Sequence, residues 1–418
     1  MKESNFYLNK PYIFLVILLP ISLLISSGAA EIVGILITII FLITSFYNNN
    51  FGWLKNKYCW MLGLIWLSLL LNLLFTQNFN LSSVRNIFFF KNIILVFSLI
   101  FIFKKEKNLH LAFSLYLVII SIVCFDIFFE YINGKNILGY SSDYEGRIAS
   151  FLGKELKIAH FVLGFGFISI SYYFEKTKKK SIYFLITGYI IFFIIMTSIV
   201  LSGEKANILR CLIFVILFII LSNKKIIKFK KIIISISALL LLSVYFFSAA
   251  IKIKINTILN PIIKKEFIKT FINSQHGAHA DVAIKIFKKY PYFGVGNKNF
   301  REECSKKEYN NSVFSKTEQR CSTHPHQIYL ELLSEHGAIG SMTILGVIFY
   351  IIYLSFKIYL KNKNLIHLSS ILFVAIIFLP LIPGGSFFTS WAAYIFWLNF
   401  SIMIFFNIKN TTEYFKKM

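Results

Sequence analysis

Acidic residues are scarce in this chain: 19 Asp and Glu stand against 44 Lys and Arg, a formal net charge of +25 over 418 residues. In a soluble protein such an excess would suggest a nucleic-acid partner. The sequence has no basic patch interleaved with aromatic residues, so nucleic-acid binding is excluded. No C-x-x-C and no H-x-x-x-H pairing occurs, which leaves the cysteines and histidines without a metal-binding signature. There is no internal repeat, and with it goes the paired-halves signature of a secondary transporter. Low-complexity sequence is absent outside a few lysine-rich loops.

What fills the chain is apolar. Hydrophobic residues make up 57% of it, and the mean hydropathy is +0.68. Apolar runs of about twenty residues read as spanning helices, because a helix satisfies its own backbone hydrogen bonds in lipid. About a dozen such runs occur, near residues 11–28, 30–47, 58–75, 86–103, 111–131, 158–174, 182–201, 207–222, 232–250, 338–356, 367–383 and 389–407. The first is followed at once by others, so it reads as a retained helix rather than a signal peptide.

The lysines cluster at Lys104, Lys105 and Lys107, at Lys176 to Lys180, Lys224 to Lys231, Lys357 to Lys363, and Lys416 and Lys417. Their placement in short loops is the positive-inside pattern. It orients both termini inside. The segments Arg147 to Lys154, Ser202 to Lys205, His276 to Gly337 and Pro383 to Ser386 then share the outer side. The expected fold is an all-α polytopic membrane protein of about twelve transmembrane helices. Its division is 1–250 (nine helices), 251–336 (a large, partly helical outer loop) and 337–418 (three helices).

Cys59, Cys124 and Cys211 fall in apolar runs and read as packing residues. Cys304 and Cys321 lie in the outer loop, where an oxidising compartment would let them close a disulfide. A metal site made from these two and the histidines is the rival reading. Residues 276–289 read as an amphipathic helix. Ala280, Ala283, Ile284, Ile286 and Phe287 form its apolar face, with Lys285, Lys288 and Lys289 opposite. It would rest at the interface or pack on the bundle. Pro291 ends it, and Gly294-Val295-Gly296 permits a tight turn.

The polar island His324-Pro325-His326-Gln327 closes the loop. A neutral imidazole there can accept a proton at physiological pH. Pro325 holds His324 extended, and His326 stands at a helix entrance. Both also read as ordinary polar residues at a membrane surface. Lys205 begins a helix that carries Arg210 inside its apolar run, where a charge tends to face a cavity or partner. Glu204 beside Lys205 offers a plain ion pair as the alternative. Arg147, Lys154 and Arg301 add cations on the same side. Converging cations near a membrane suit a diphosphate leaving group.

These residues resemble a known family. His326-Gln327, followed at fixed spacing by Gly337 and Gly340, resembles the signature of the O-antigen ligase/polymerase superfamily. GVGNKNFREEC with CSTHPHQIYLELLSEHGAIG is similar to that family's C-terminal domain. GRIASFLGKEL and LSGEKANIL are similar to its two upstream motifs. The resemblance implies a polytopic, GT-C-like glycosyltransferase of the bacterial inner membrane with a periplasmic active site and cytoplasmic termini. It would need neither metal nor other cofactor. It would move a glycan from undecaprenyl diphosphate to an acceptor hydroxyl, lipid A–core oligosaccharide for a ligase.

His326 takes the family's general-base position. Lys205 stands where the family has arginine, which keeps the charge but loses the bidentate fork. Arg210, Arg147, His276, His279, His324 and Arg301 are the further candidates for contact with the diphosphate or substrate. A polymerase or a protein O-oligosaccharyltransferase would use the same site. A transporter or flippase is the alternative from another class.

Overall fold

The computed structural model describes residues 6–144, 146–153, 155–222, 256, 260, 263–310 and 316–417. Among them every regular element is a helix. Seven helices are long and apolar enough to cross a membrane: Ser27–Tyr47, Phe79–Phe103, Glu106–Asn133, Ile158–Thr177, Ile182–Leu201, Ile328–Asn362 and Ser390–Asn410. Pro11–Ile25, Lys57–Leu73 and Leu365–Ile377 are shorter apolar helices, and Lys205–Leu221 has 17 residues. The chain is a multi-pass membrane protein. The run expected near 232–250 lies outside the described residues.

Local chemistry sets several of these ends. Ser26 accepts from the Ala29 N–H at 3.0 Å, Asn56 from Tyr58 at 2.9 Å, and Asn364 from Ile366 at 3.0 Å. Each side chain caps an orphan donor at a helix start. Gly134 at φ 73° closes the Glu106–Asn133 helix. The Ile158–Thr177 and Ser390–Asn410 helices run through the centre, almost wholly buried. Where they cross, a Cβ on Gly164 would lie 2.1 Å from Ile395. A small residue there lets the helix axes approach, as membrane packing requires. Side chains such as Phe14, Trp60 and Val118 point outward instead.

Lysines gather at one end of this bundle. A cavity of about 590 Å³ is lined by Lys104, Lys176 and Lys409, from three separate lysine-bearing segments. They lie at the C-terminal ends of their helices. The Ile158–Thr177 and Ser390–Lys417 helices begin at the other end, beside the motif loops.

One boundary departs from expectation: the run near 86–103 begins earlier, at Phe79, and a turn at Phe88 and Phe89 divides it into Phe79–Ile87 and Phe90–Phe103. Buried Ser82 and Asn86 anchor that short helix to the outer loop. The helix expected after His326 is present. Helix begins at Ile328 and continues to Asn362, with a non-helical residue, Gly337, inside it at φ 63°, ψ −169°.

That kink is compensated bond for bond. It removes the helical bonds that Ala338 and Ile339 would donate to Ser334 and Glu335. Ala338 N instead donates to Pro291 O at 2.7 Å, and Ile339 N to Tyr292 O at 3.1 Å. Val295 N takes Ser334 O at 3.0 Å, and Gly296 N takes Glu335 O at 2.9 Å. All four freed backbone groups are satisfied by one loop, as buried polar groups require. The approach is close enough to need glycine on both sides. A Cβ on Gly337 would sit 2.3 Å from the Tyr292 carbonyl carbon, and one on Gly294 would sit 2.4 Å from that of Glu335.

Gly337→Ala should therefore lower the thermal midpoint of the detergent-solubilised protein sharply, since the backbone strain alone costs about 1–3 kcal/mol before the clash is counted. Gly346→Ala, in the same helix with nothing within 4 Å, is the control and should hold or raise the midpoint by helix propensity. Equal midpoints for the two variants would show that the kink is not needed.

Candidate functional site

The outer-loop helix forms first. Ser274 caps Gln275–Lys289 by accepting from Gly277 N at 3.0 Å. Its buried face is His279, Val282, Ala283 and Ile286, an i, i+3, i+4, i+7 stripe, joined by Ala280. Ile284, expected inward, is 44% exposed. It lies one residue off the stripe, and Val282 takes the inward place. The helix packs on Val295, Phe300, Cys304 and Tyr309 and against the Ile328–Asn362 helix.

Cys304 and Cys321 are disulfide-bonded, with Cα atoms 5.4 Å apart. Arg320 adds to this anchor by donating from Nε to Cys304 O at 2.8 Å. The segment leading to the histidines is thereby fixed to the core of the outer loop. Cys59, Cys124 and Cys211 are free.

Four imidazoles meet there. The His326 ring centroid lies 4.3 Å from His324, 5.3 Å from His279 and 5.8 Å from His276. His326 itself has φ 57°, a left-handed conformation that few non-glycine residues adopt. The next residue, Gln327, caps the helix by accepting from Leu330 N at 2.8 Å. The constrained backbone turns the ring back over the Gln275–Lys289 helix.

The hydrogen bonds separate the roles of the rings. His324 Nε2 faces Gly384 O at 3.2 Å, so it carries the proton, and its Nδ1 accepts from Thr323 Oγ1 at 2.9 Å. Both nitrogens are committed. His326 Nε2 meets Ser322 Oγ at 3.0 Å. The ring also interacts with the Gly384 backbone. Burial holds His324 and His279 down to about 4, with His326 as a further cause in each. Burial and His276 also lower His326 below the ordinary imidazole value. The cluster is therefore neutral at pH 7. Among the described residues, no group of three or more His, Cys, Asp and Glu is arranged to hold a metal ion.

The turn after Leu365–Ile377 joins this cluster to a cation. Gly384 N donates to His326 O at 2.9 Å. Arg210 Nη2 donates to Pro383 O at 3.1 Å, and its Nη1 to Asn207 Oδ1 at 3.2 Å. A Cβ on Gly384 would stand 3.0 Å from Arg210 Nη2. The turn is locked below by Glu331, which accepts from Phe387 N at 3.0 Å and from Ser386 Oγ.

Glu204 does not need Lys205 as its partner. It accepts from Ala159 N at 2.8 Å and from Asn207 Nδ2 at 2.6 Å, and so caps the Ile158–Thr177 helix. Lys205 is exposed at the start of its own helix and within electrostatic reach of Arg147. Ile148 N donates to Ser202 O at 3.1 Å, which puts the Arg147 segment beside the Lys205 segment. Arg301 Nη2 approaches Thr323 O at 3.5 Å. Arg147, Arg210 and Arg301 each have a buried Nε with no hydrogen-bond partner among the described residues. Three unsatisfied guanidinium donors around neutral imidazoles suit an anion.

A profile described as O-Antigen ligase matches residues 190–345. That segment is similar to the O-antigen ligase family. A search of curated proteins finds no match. The superfamily segment holds Lys205, Arg210, His276, His279, Arg301, His324 and His326. It leaves out Arg147 and the Pro383–Phe387 turn, which reach the same site from outside it.

Sequence reasoning missed Arg85. It rises from the Phe79–Ile87 helix, forms no hydrogen bond or ion pair among the described residues, and lies within electrostatic reach of His324, Arg301 and Lys298. The signal available was a lone arginine in a short outer loop, between Ser82 and Asn86, both of which are fully buried. Sequence reasoning likewise passed over Glu331, which looks like an ordinary helix residue.

If the disulfide anchors the histidine segment, Cys304→Ser with Cys321→Ser should cost about 3 kcal/mol for a loop of this length. Melting with and without reductant reads it. A variant that melts with the wild type, and a wild type indifferent to reductant, would mean that the segment is held without the bond.

Proposed function

We propose that the chain is an O-antigen ligase-like glycosyltransferase. It would act at the periplasmic face of a bacterial inner membrane, with both termini cytoplasmic. The donor is a glycan on undecaprenyl diphosphate and the acceptor a hydroxyl of lipid A–core oligosaccharide. One observation carries the reading: a single turn, Pro383–Gly384, contacts both the histidine pair and Arg210, bringing a proton acceptor and a cation to one place.

A neutral His326 ring keeps one unprotonated nitrogen. It takes the acceptor hydroxyl proton as that oxygen bonds to the anomeric carbon. The bond from that carbon to the diphosphate oxygen breaks, and the electron pair leaves with undecaprenyl diphosphate. One displacement inverts the anomeric configuration. Arg210, Lys205 and Arg147 stabilise the leaving charge, a role that protein cations fill without a metal ion. Base catalysis contributes about 10²–10⁴-fold, and positioning supplies much of the rest.

Purified protein in lipid, given lipid-linked donor and core acceptor, tests this. His326→Ala should keep the wild-type melting midpoint and lose transfer by about 10²–10⁴-fold. Normal transfer by that variant removes the base. The working form is the neutral ring, and burial with His276 nearby holds its pKa below the ordinary imidazole value. Activity should thus fall only on acidification through that lowered range. An acidic limb centred above pH 7 would contradict the assignment.

A further inference from the structure

The cations at the site fall into two sets, each linked to a different ring nitrogen of His324. On one side His324 Nε2 donates to Gly384 O, and the preceding carbonyl, Pro383 O, receives Arg210. Arg210 and Arg147 both act on Glu204 there, and Arg147 on Lys205. On the other side His324 Nδ1 bonds Thr323 Oγ1, and Thr323 O faces Arg301 Nη2. Arg85 is drawn to Glu335 and Glu331 and repelled by Arg301, and Arg85 and Arg301 both act on Lys298.

The second set is rigidly built. Asn297 Nδ2 donates to Asn86 Oδ1 at 2.9 Å, and Ser82 Oγ to Asn297 O at 2.8 Å. This bolts the Arg85 helix to the Lys298 segment. The nearby carboxylates are committed to other donors. Glu335 accepts from Lys298 N at 2.9 Å and Phe300 N at 3.2 Å. Glu331 accepts from Ser386 and Phe387. Like charges held together, with neighbouring acids bound to backbone amides and a hydroxyl, leave donor capacity for an outside anion.

We propose that Arg85, Lys298 and Arg301 form a second anion site, which holds a phosphate or diphosphate group of the acceptor. The proposal rests on the transferase reading. In a direct displacement the entering oxygen and the leaving diphosphate lie on opposite faces of the anomeric carbon. A donor diphosphate held by Arg210, Lys205 and Arg147 leaves the far side for the acceptor. An acceptor steered by charge must itself be anionic, as phosphorylated lipid A–core and a second lipid-diphosphate-linked glycan both are.

Inorganic pyrophosphate titrated into the purified, detergent-solubilised chain at 0.15 M salt counts anion sites without any transfer. Two sites are expected in the wild type and one in R85Q/R301Q. One is also expected in R147Q/K205Q, and it should be the other. A single site in the wild type, or an unchanged count in R85Q/R301Q, overturns the proposal. If R85Q/R301Q does not fold, Lys298→Gln is the substitute, since Lys298 holds Glu335 through its backbone. It should weaken one site about tenfold, and unchanged binding of both overturns the proposal.

Transfer assays then separate the two sources. R85Q/R301Q should raise the KM for core lipid, or for the second lipid-diphosphate-linked glycan, tenfold or more. Whichever rises is the acceptor. A rise confined to the donor KM overturns the assignment. A wild type that transfers to neither acceptor defeats the transferase reading, while the pyrophosphate count still stands or falls by itself.

Discussion

The exchange of backbone hydrogen bonds at Gly337 fixes the rest of the site. Ser334, Glu335, Ala338 and Ile339 would ordinarily bond each other along one helix, and here all four bond the 291–296 loop. An interrupted helix next to a membrane is tolerated only where its freed groups find protein partners. The loop that supplies them is the same one that positions Lys298 and Arg301. One local break therefore sets both the start of the histidine-bearing helix and the approach of the cationic loop. It also explains why glycine stands on both sides of the contact, at 294 and at 337.

The second constraint is the Pro383–Phe387 turn. Its carbonyls receive Arg210 and His324, its Gly384 N–H holds His326, and its far end is gripped by Glu331. Arg210 and Pro383 are 173 residues apart in the chain. Bringing Arg210 and the histidine pair together thus depends on three helices agreeing through one short turn. Gly384 is small because Arg210 lies against it. The superfamily match ends at residue 345, so this brace lies in sequence that the match does not reach.

How much of this the sequence shows depends on how local the signal is. Helices were legible from apolar runs, since a run of that length has few other structures available in lipid. His326 was legible because a polar island in such a chain is conspicuous. The Gln275–Lys289 helix was legible in kind, but Ile284 was assigned to the wrong face. A pattern of four or five apolar residues does not fix the rotation, and burial of His279 and Val282 does. Glu204 was paired with its sequence neighbour Lys205, whereas the fold turns it onto Ala159 N and Asn207. Arg85, the Gly337 kink and the Glu331 brace were not legible. Each is defined by a partner more than fifty residues away or by a backbone conformation that no side-chain pattern encodes.

The electrostatics of the site carry the same non-local character. His324 and His279 are neutral first because they are buried and then because His326 lies beside them. Neutral rings let cations approach without repulsion, and the arginines keep Nε groups unsatisfied among the described residues. An anion entering this environment meets a low-dielectric setting in which its charge acts strongly. It would stabilise the protonated form of any nearby imidazole, so the charge state of the histidine cluster and the occupancy of the cationic groups are linked.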